Sequence, residues 1–166
     1  MPKPIIELIS EQVVSRLQNI TKSNGYEFTV AFAELIDRDK NQWQPEPLGI
    51  YVQEVGIEEI PELSYPGNPQ RIAFDATFEI TGFASGLDID ETETGQINRG
   101  VTDTQMMASI KKALANNDAQ GWHTFGGYAF NAKMGSAETV DMPGHDGARV
   151  MLNVMYRTSE IDPYTQ

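Results

Sequence analysis

The chain has 166 residues, enough for one domain with a buried core, and its 24 acidic against 12 basic side chains give a formal charge of −12. That excess repels phosphate backbones, so double-stranded nucleic acid is not expected as a bound ligand. The absence of cysteine removes disulfides, thiolate catalysis and cysteine-based zinc sites together.

The first residues turn amphipathic at once and carry Glu7 and Glu11, which is not the apolar stretch of a signal peptide. No run approaches the roughly 20 apolar residues of a membrane span, so a single domain over 1–166, folded in the cytoplasm without membrane contact, is expected. Ile6, Ile9, Val13, Leu17 and Ile20 recur at helical spacing and predict a helix over about 4–22 that packs by one face. Pro4 suits its first turn, Arg16 and Lys22 lie late, and Asn24-Gly25 supplies a stop. A strand is predicted over 26–36, with Phe28, Val30 and Phe32 on one face, and ends at the charged turn Asp37-Arg38-Asp39-Lys40. A second strand follows near 48–55. Between them Trp43, flanked by Pro45 and Pro47, either caps the edge of the core or anchors an interface.

The clearest strand covers 71–82, where Ile72, Phe74, Ala76, Phe78 and Ile80 alternate with Asp75, Thr77, Glu79 and Thr81. One core face and one wet face suit an antiparallel sheet with helices on one side. Thr102-Asp103-Thr104-Gln105 reads as a capping box opening a helix over about 103–116, with Met106, Met107, Ile110 and Leu114 apolar and Lys111 and Lys112 near the C-terminal end of the dipole. Tyr128, Phe130, Ala132 and Met134 alternate, as do Val150, Leu152, Val154 and Tyr156, so two last strands form a hairpin around a long loop at 135–148. The surplus acid falls in connections: Glu54, Glu58, Glu59 and Glu62 in one, Asp88, Asp90, Glu91 and Glu93 in another.

Catalytic signatures are sparse. His123 and His145 sit in separate segments, and although His145-Asp146 pairs a base with a carboxylate in sequence, adjacent residues of an extended chain seldom point together. Asp88, Asp90, Thr92 and Gly95 faintly resemble a calcium loop, but Arg99 stands where the closing Glu belongs and the glycine is displaced. Gly126-Gly127 has no Lys-Ser/Thr pair after it, and neither a GxSxG elbow nor an HExxH helix occurs. No catalytic, cofactor-binding or metal residue is nominated, and the chain reads as a non-enzyme.

The order of elements, the opening helix Ile5-Ile6-Glu7…Val14…Leu17 with Asn24-Gly25-Tyr26, the helix Asp103…Ile110-Lys111-Lys112-Ala113-Leu114, and the closing Met155-Tyr156-Arg157-Thr158 with Asp162-Pro163-Tyr164 resemble the tail terminator, or tail completion, proteins of long-tailed bacteriophages. The likeness spans nearly the whole chain through short motifs whose order carries it. It implies an α+β fold, a mostly antiparallel sheet with two helices packed on one face, long loops and an extended C-terminal hairpin. It also implies a virion protein, made in the host cytoplasm, forming a homo-oligomeric ring, usually hexameric, that caps the tail tube and meets the neck or head connector. The resemblance further offers sheath protein as a candidate partner and implies that the DNA duplex passes through without specific binding.

The family supplies no catalytic residues or cofactor. The connections at 56–71, 83–101 and 135–148 are longer than in compact members. Interface candidates are Trp43, Tyr65, Asp162, Pro163 and Tyr164; channel-lining candidates are Glu58, Glu59, Glu62, Asp88, Asp90, Glu91 and Glu93. The alternatives are another neck or tail-tube subunit, or a small metal-dependent enzyme using His123, His145 and the acidic loops.

Overall fold

The computed structural model describes residues 2–37, 44–67, 70–84, 100–116, 121–142 and 145–164. Trp43 and the acidic positions Asp88, Asp90, Glu91 and Glu93, with Thr92, Gly95 and Arg99, lie outside the described residues.

The apolar stripe Ile5, Ile9, Val13 and Leu17 forms the buried face of α1 (Ile5–Gln18). The helix stops short of the expected 22 because Asn19 caps it. Ile20 continues the apolar period from a turn, fully buried, and its carbonyl accepts from the Val30 N–H at 3.0 Å. That bond also explains why the strand expected over 26–36 shrinks to β1 (Phe32–Leu35). Phe28 and Val30 are buried, but as part of a segment tied to the end of α1, where Tyr26 N–H donates to the Thr21 carbonyl. Burial and strand pairing are separate properties, and alternation reports only the first.

Strand β2 (Gly49–Glu59) runs beyond the expected 55 and carries Glu58 and Glu59, with a register shift between Glu54 and Gly56. A 3-10 turn, Pro61–Leu63, and a bridge between Tyr65 and Arg71 follow, so most of the described part of 56–71 is ordered backbone rather than a free loop. Strand β3 (Arg71–Phe83) matches its alternation. Helix α2 (Asp103–Leu114) opens on the expected capping box: the Gln105 N–H donates to Thr102 Oγ1 at 3.1 Å, and the Thr102 N–H to Gln105 Oε1 at 2.9 Å. The loop expected at 135–148 is instead the body of a hairpin, because β4 (Ala129–Met142) and β5 (His145–Ser159) pair almost to its tip.

The sheet order is β1-β2-β3-β5-β4, with β1 parallel to β2 and every other pair antiparallel. The core joins both helices to one sheet face through Ile50, Val52, Ala76, Phe78, Ile80, Val150, Leu152 and Val154. Among the described residues this is an α+β fold with two helices on one face of a mostly antiparallel sheet and an extended C-terminal hairpin. Gly82 lets α2 settle on β3, since a Cβ there would lie 2.8 Å from Met106. Arg16, buried, ties the helices together: its Nη1 donates to the carbonyls of Leu114 (2.7 Å) and Trp122 (2.6 Å), and its guanidinium lies over the Phe125 ring.

Among the described residues the opposite sheet face has no helix, yet it is not uniformly wet. Asp75, Thr77 and Glu79 are half-buried, whereas Ala73, Thr81 and Phe83 at the ends of the same row are buried. Around Phe83 the rings of Phe32, Tyr51 and His145 meet edge to face, and the Tyr51 hydroxyl donates to the Gln44 carbonyl at 2.6 Å. Among the described residues no helix is long and apolar enough to cross a membrane.

Candidate interaction surfaces

His123 lies in the 3-10 turn Trp122–Thr124 that precedes β4, while His145 pairs with Met142 at the far end of the β4/β5 hairpin. A strand of 14 residues separates the two ends, roughly 40 Å at about 3.3 Å per residue, so the imidazoles share no site. His145 and Asp146 are successive strand residues and project to opposite faces, which removes them as a base and its orienting carboxylate. Among the described residues, no three or more His, Asp and Glu side chains are grouped to hold a metal ion.

Tyr65 is 57% exposed but engaged. The Arg157 guanidinium is held 4.5 Å from the Tyr65 ring and 3.9 Å from the Phe130 ring, and Arg157 Nε donates to the Leu63 carbonyl. Phe130 and Arg157 did not stand out in the sequence, because an aromatic and a cation 27 positions apart become neighbours only through the β4/β5 pairing.

Asp162, Pro163 and Tyr164 form a turn folded onto the molecule's own first helix. The Asp162 N–H donates to the Ser159 carbonyl, the Tyr164 N–H to Asp162 Oδ1, and the Ile5 N–H to the Pro163 carbonyl at 3.1 Å. That last bond satisfies one of the free donors at the start of α1. Ile161, 79% exposed, and the Tyr164 ring remain at the surface.

The acidic candidates divide. Glu58 and Glu59 follow one another in β2 and therefore face opposite sides of the sheet; Glu58 is paired in register with Asp75 on the helix-free face, and Glu59 with Phe74 on the helix face. Glu62 sits in the 3-10 turn beyond. They do not form one patch.

A groove that the sequence did not announce runs between α1 and β1. It measures about 680 Å³ and is lined by Val14, Ala33 and Leu35 with Glu7, Glu11 and Glu34 among its polar residues. A second depression of about 370 Å³ continues it past Leu35 to Ile36, Asp37 and Glu54. Leu35, 52% exposed, belongs to both. The sequence pattern sets Phe28, Val30 and Phe32 on one face and singles out neither Ala33 nor Leu35; the path of α1 covers Ala33 and leaves Leu35 open.

The hydrogen bond and charge of Glu11 raise the pKa of Lys3, and the other perturbed titrations belong to tyrosines. Burial first and the Glu54 charge second push the Tyr156 phenol up to about 12, and burial, with Glu46 and Glu34 adding to it, raises that of Tyr51. Both groups stay protonated and neutral at physiological pH, which suits packing and hydrogen-bond donation rather than acid–base chemistry. Comparison with the models of known protein families and with curated proteins gives no match.

Proposed function

We propose that this chain is a structural subunit of a long-tailed bacteriophage virion, a tail terminator whose ring caps the tail tube and joins it to the head connector. One observation carries the reading: the element order α1-β1-β2-β3-α2-β4-β5 folds with both helices on one face of a mostly antiparallel sheet, the arrangement that the resemblance leads one to expect, and among the described residues the other face carries no helical layer. Closed rings use heterologous contacts between two different surfaces of each subunit, and a half-covered sheet with a long hairpin offers such surfaces. In this reading the ring is a hexamer, its partners are the tail tube, the neck or connector and, in contractile tails, the sheath, and the duplex slides through without being held.

The acidic-channel idea narrows on the same footing. If the helix-free face turns to the lumen, Glu58 joins Asp75 and Glu79 there, and Glu59 does not.

Negative-stain imaging with light scattering tests the proposal. Closed rings that bind the ends of purified tail tubes are expected; open stacked tubes would favour the neighbouring reading, a tail-tube subunit. A strict monomer that forms no rings when mixed with tail tubes defeats the proposal.

A further inference from the structure

The groove between α1 and β1 combines three properties that the proposed ring does not use. Its floor is apolar, with Val14, Ala33 and the exposed Leu35. One wall is β1, the edge strand of the sheet, which has no further strand beside it among the described residues. Glu7, Glu11 and Glu34 line it, Asp37 and Glu54 line its continuation, and among the described residues no Lys or Arg lines either part. Lys3 at the surface pairs with Glu11.

An edge strand beside a helix accepts an extended segment by backbone pairing, with side-chain identity read by the groove. Here the side chains call for an apolar residue over Leu35 and cations beside it.

We infer that this groove takes an extended, Lys/Arg-bearing segment of another protein, added as a strand along β1. A second copy of this chain fits less well. Its other sheet edge, β4, carries Lys133 but also Glu138 and Asp141, which would be set against the groove's own carboxylates.

The probe is a short fluorescein-labelled peptide of alternating Lys and Val, followed by fluorescence anisotropy on the intact protein at low salt. The combined variant Glu7→Gln, Glu11→Gln, Glu34→Gln should weaken binding about tenfold, whereas Glu58→Gln, Glu59→Gln, Glu62→Gln should change it by less than about twofold. The same peptide N-methylated along one edge should also bind about tenfold more weakly, because the added strand loses its donors. Circular dichroism checks that each variant keeps its fold.

Equal weakening by the two sets of substitutions would mean general attraction to an acidic protein and would overturn the inference. So would an N-methylated peptide that binds as well as its parent, or no binding at all. If the groove substitutions change the oligomeric state and leave peptide binding untouched, the occupant is a second copy, and the inference is again wrong.

Discussion

The two faces of β3 are built from one strand and solve different problems. On the helix side Ala76, Phe78 and Ile80 disappear into a single core shared with α1 and α2. On the other side polar residues occupy the middle, Asn153 Nδ2 donates to Thr77 Oγ1 at 2.9 Å and also reaches Asp75, and Arg149 meets Glu79 and Glu138. That face closes at the ends of the row, over Ala73 at one and at the other where Phe83 and Tyr51 form a second, smaller aromatic cluster. Alternation therefore identifies the face that meets helices. It does not identify every buried residue, because neighbouring strands and loops can cover the ends of a face that no helix touches.

Four substitutions break or sharpen that contrast. Phe78→Ala, a fully buried ring removed between sheet and helices, should destabilise the protein by about 3–5 kcal/mol in chemical denaturation. Phe83→Ala lies on the opposite face and should still cost about 2–4 kcal/mol, because its ring is equally buried; a near-neutral result would mean that the small cluster contributes nothing.

Tyr156→Phe acts only in alkali. The native state holds the phenolic proton up to about pH 12 and the unfolded chain only to about 10, so this group's contribution is complete below pH 10 and is lost as pH rises through that window. The variant should lose stability less steeply than the wild type between those values. Thr77→Ala, half-exposed and bonded to Asn153, should stay within about 0.5 kcal/mol in the isolated subunit; a larger loss would show that the helix-free face has an energetic role without any partner.

The same contrast explains what could be read in advance. Strand β3, the α2 capping box and the α1 stripe were legible because each element has one dry and one wet side, which is what periodicity records. The outer half of the hairpin was not legible. Over Gly135, Ser136, Glu138, Thr139 and Asp141 the chain is mostly exposed, so its strand character rests on backbone pairing with β5 and leaves no hydrophobic trace. The far end of β2 was hidden similarly, where the register shift at Glu54/Gly56 breaks the alternation before Glu58 and Glu59.

For the candidate surfaces, the sequence drew attention to Tyr65 and the Asp162-Pro163-Tyr164 turn as unusual residues. It was silent on Arg157 between two rings and on the groove beside Leu35, since both arise from segments distant in the chain.

The strand order has a consequence for synthesis. Strand β5 stands between β3 and β4, so until residues 145–159 leave the ribosome the emerging chain holds β1, β2 and β3 with an open inner edge and β4 with no neighbour. Closing the sheet then joins stretches such as Arg71 and Ser159 across about half of the chain's length, a slow kind of closure that exposes an apolar strand edge while it lasts. Sheet closure should therefore wait for β5, and chaperones that shield unpaired strands during that interval should raise its yield more than any stabilisation of its helices.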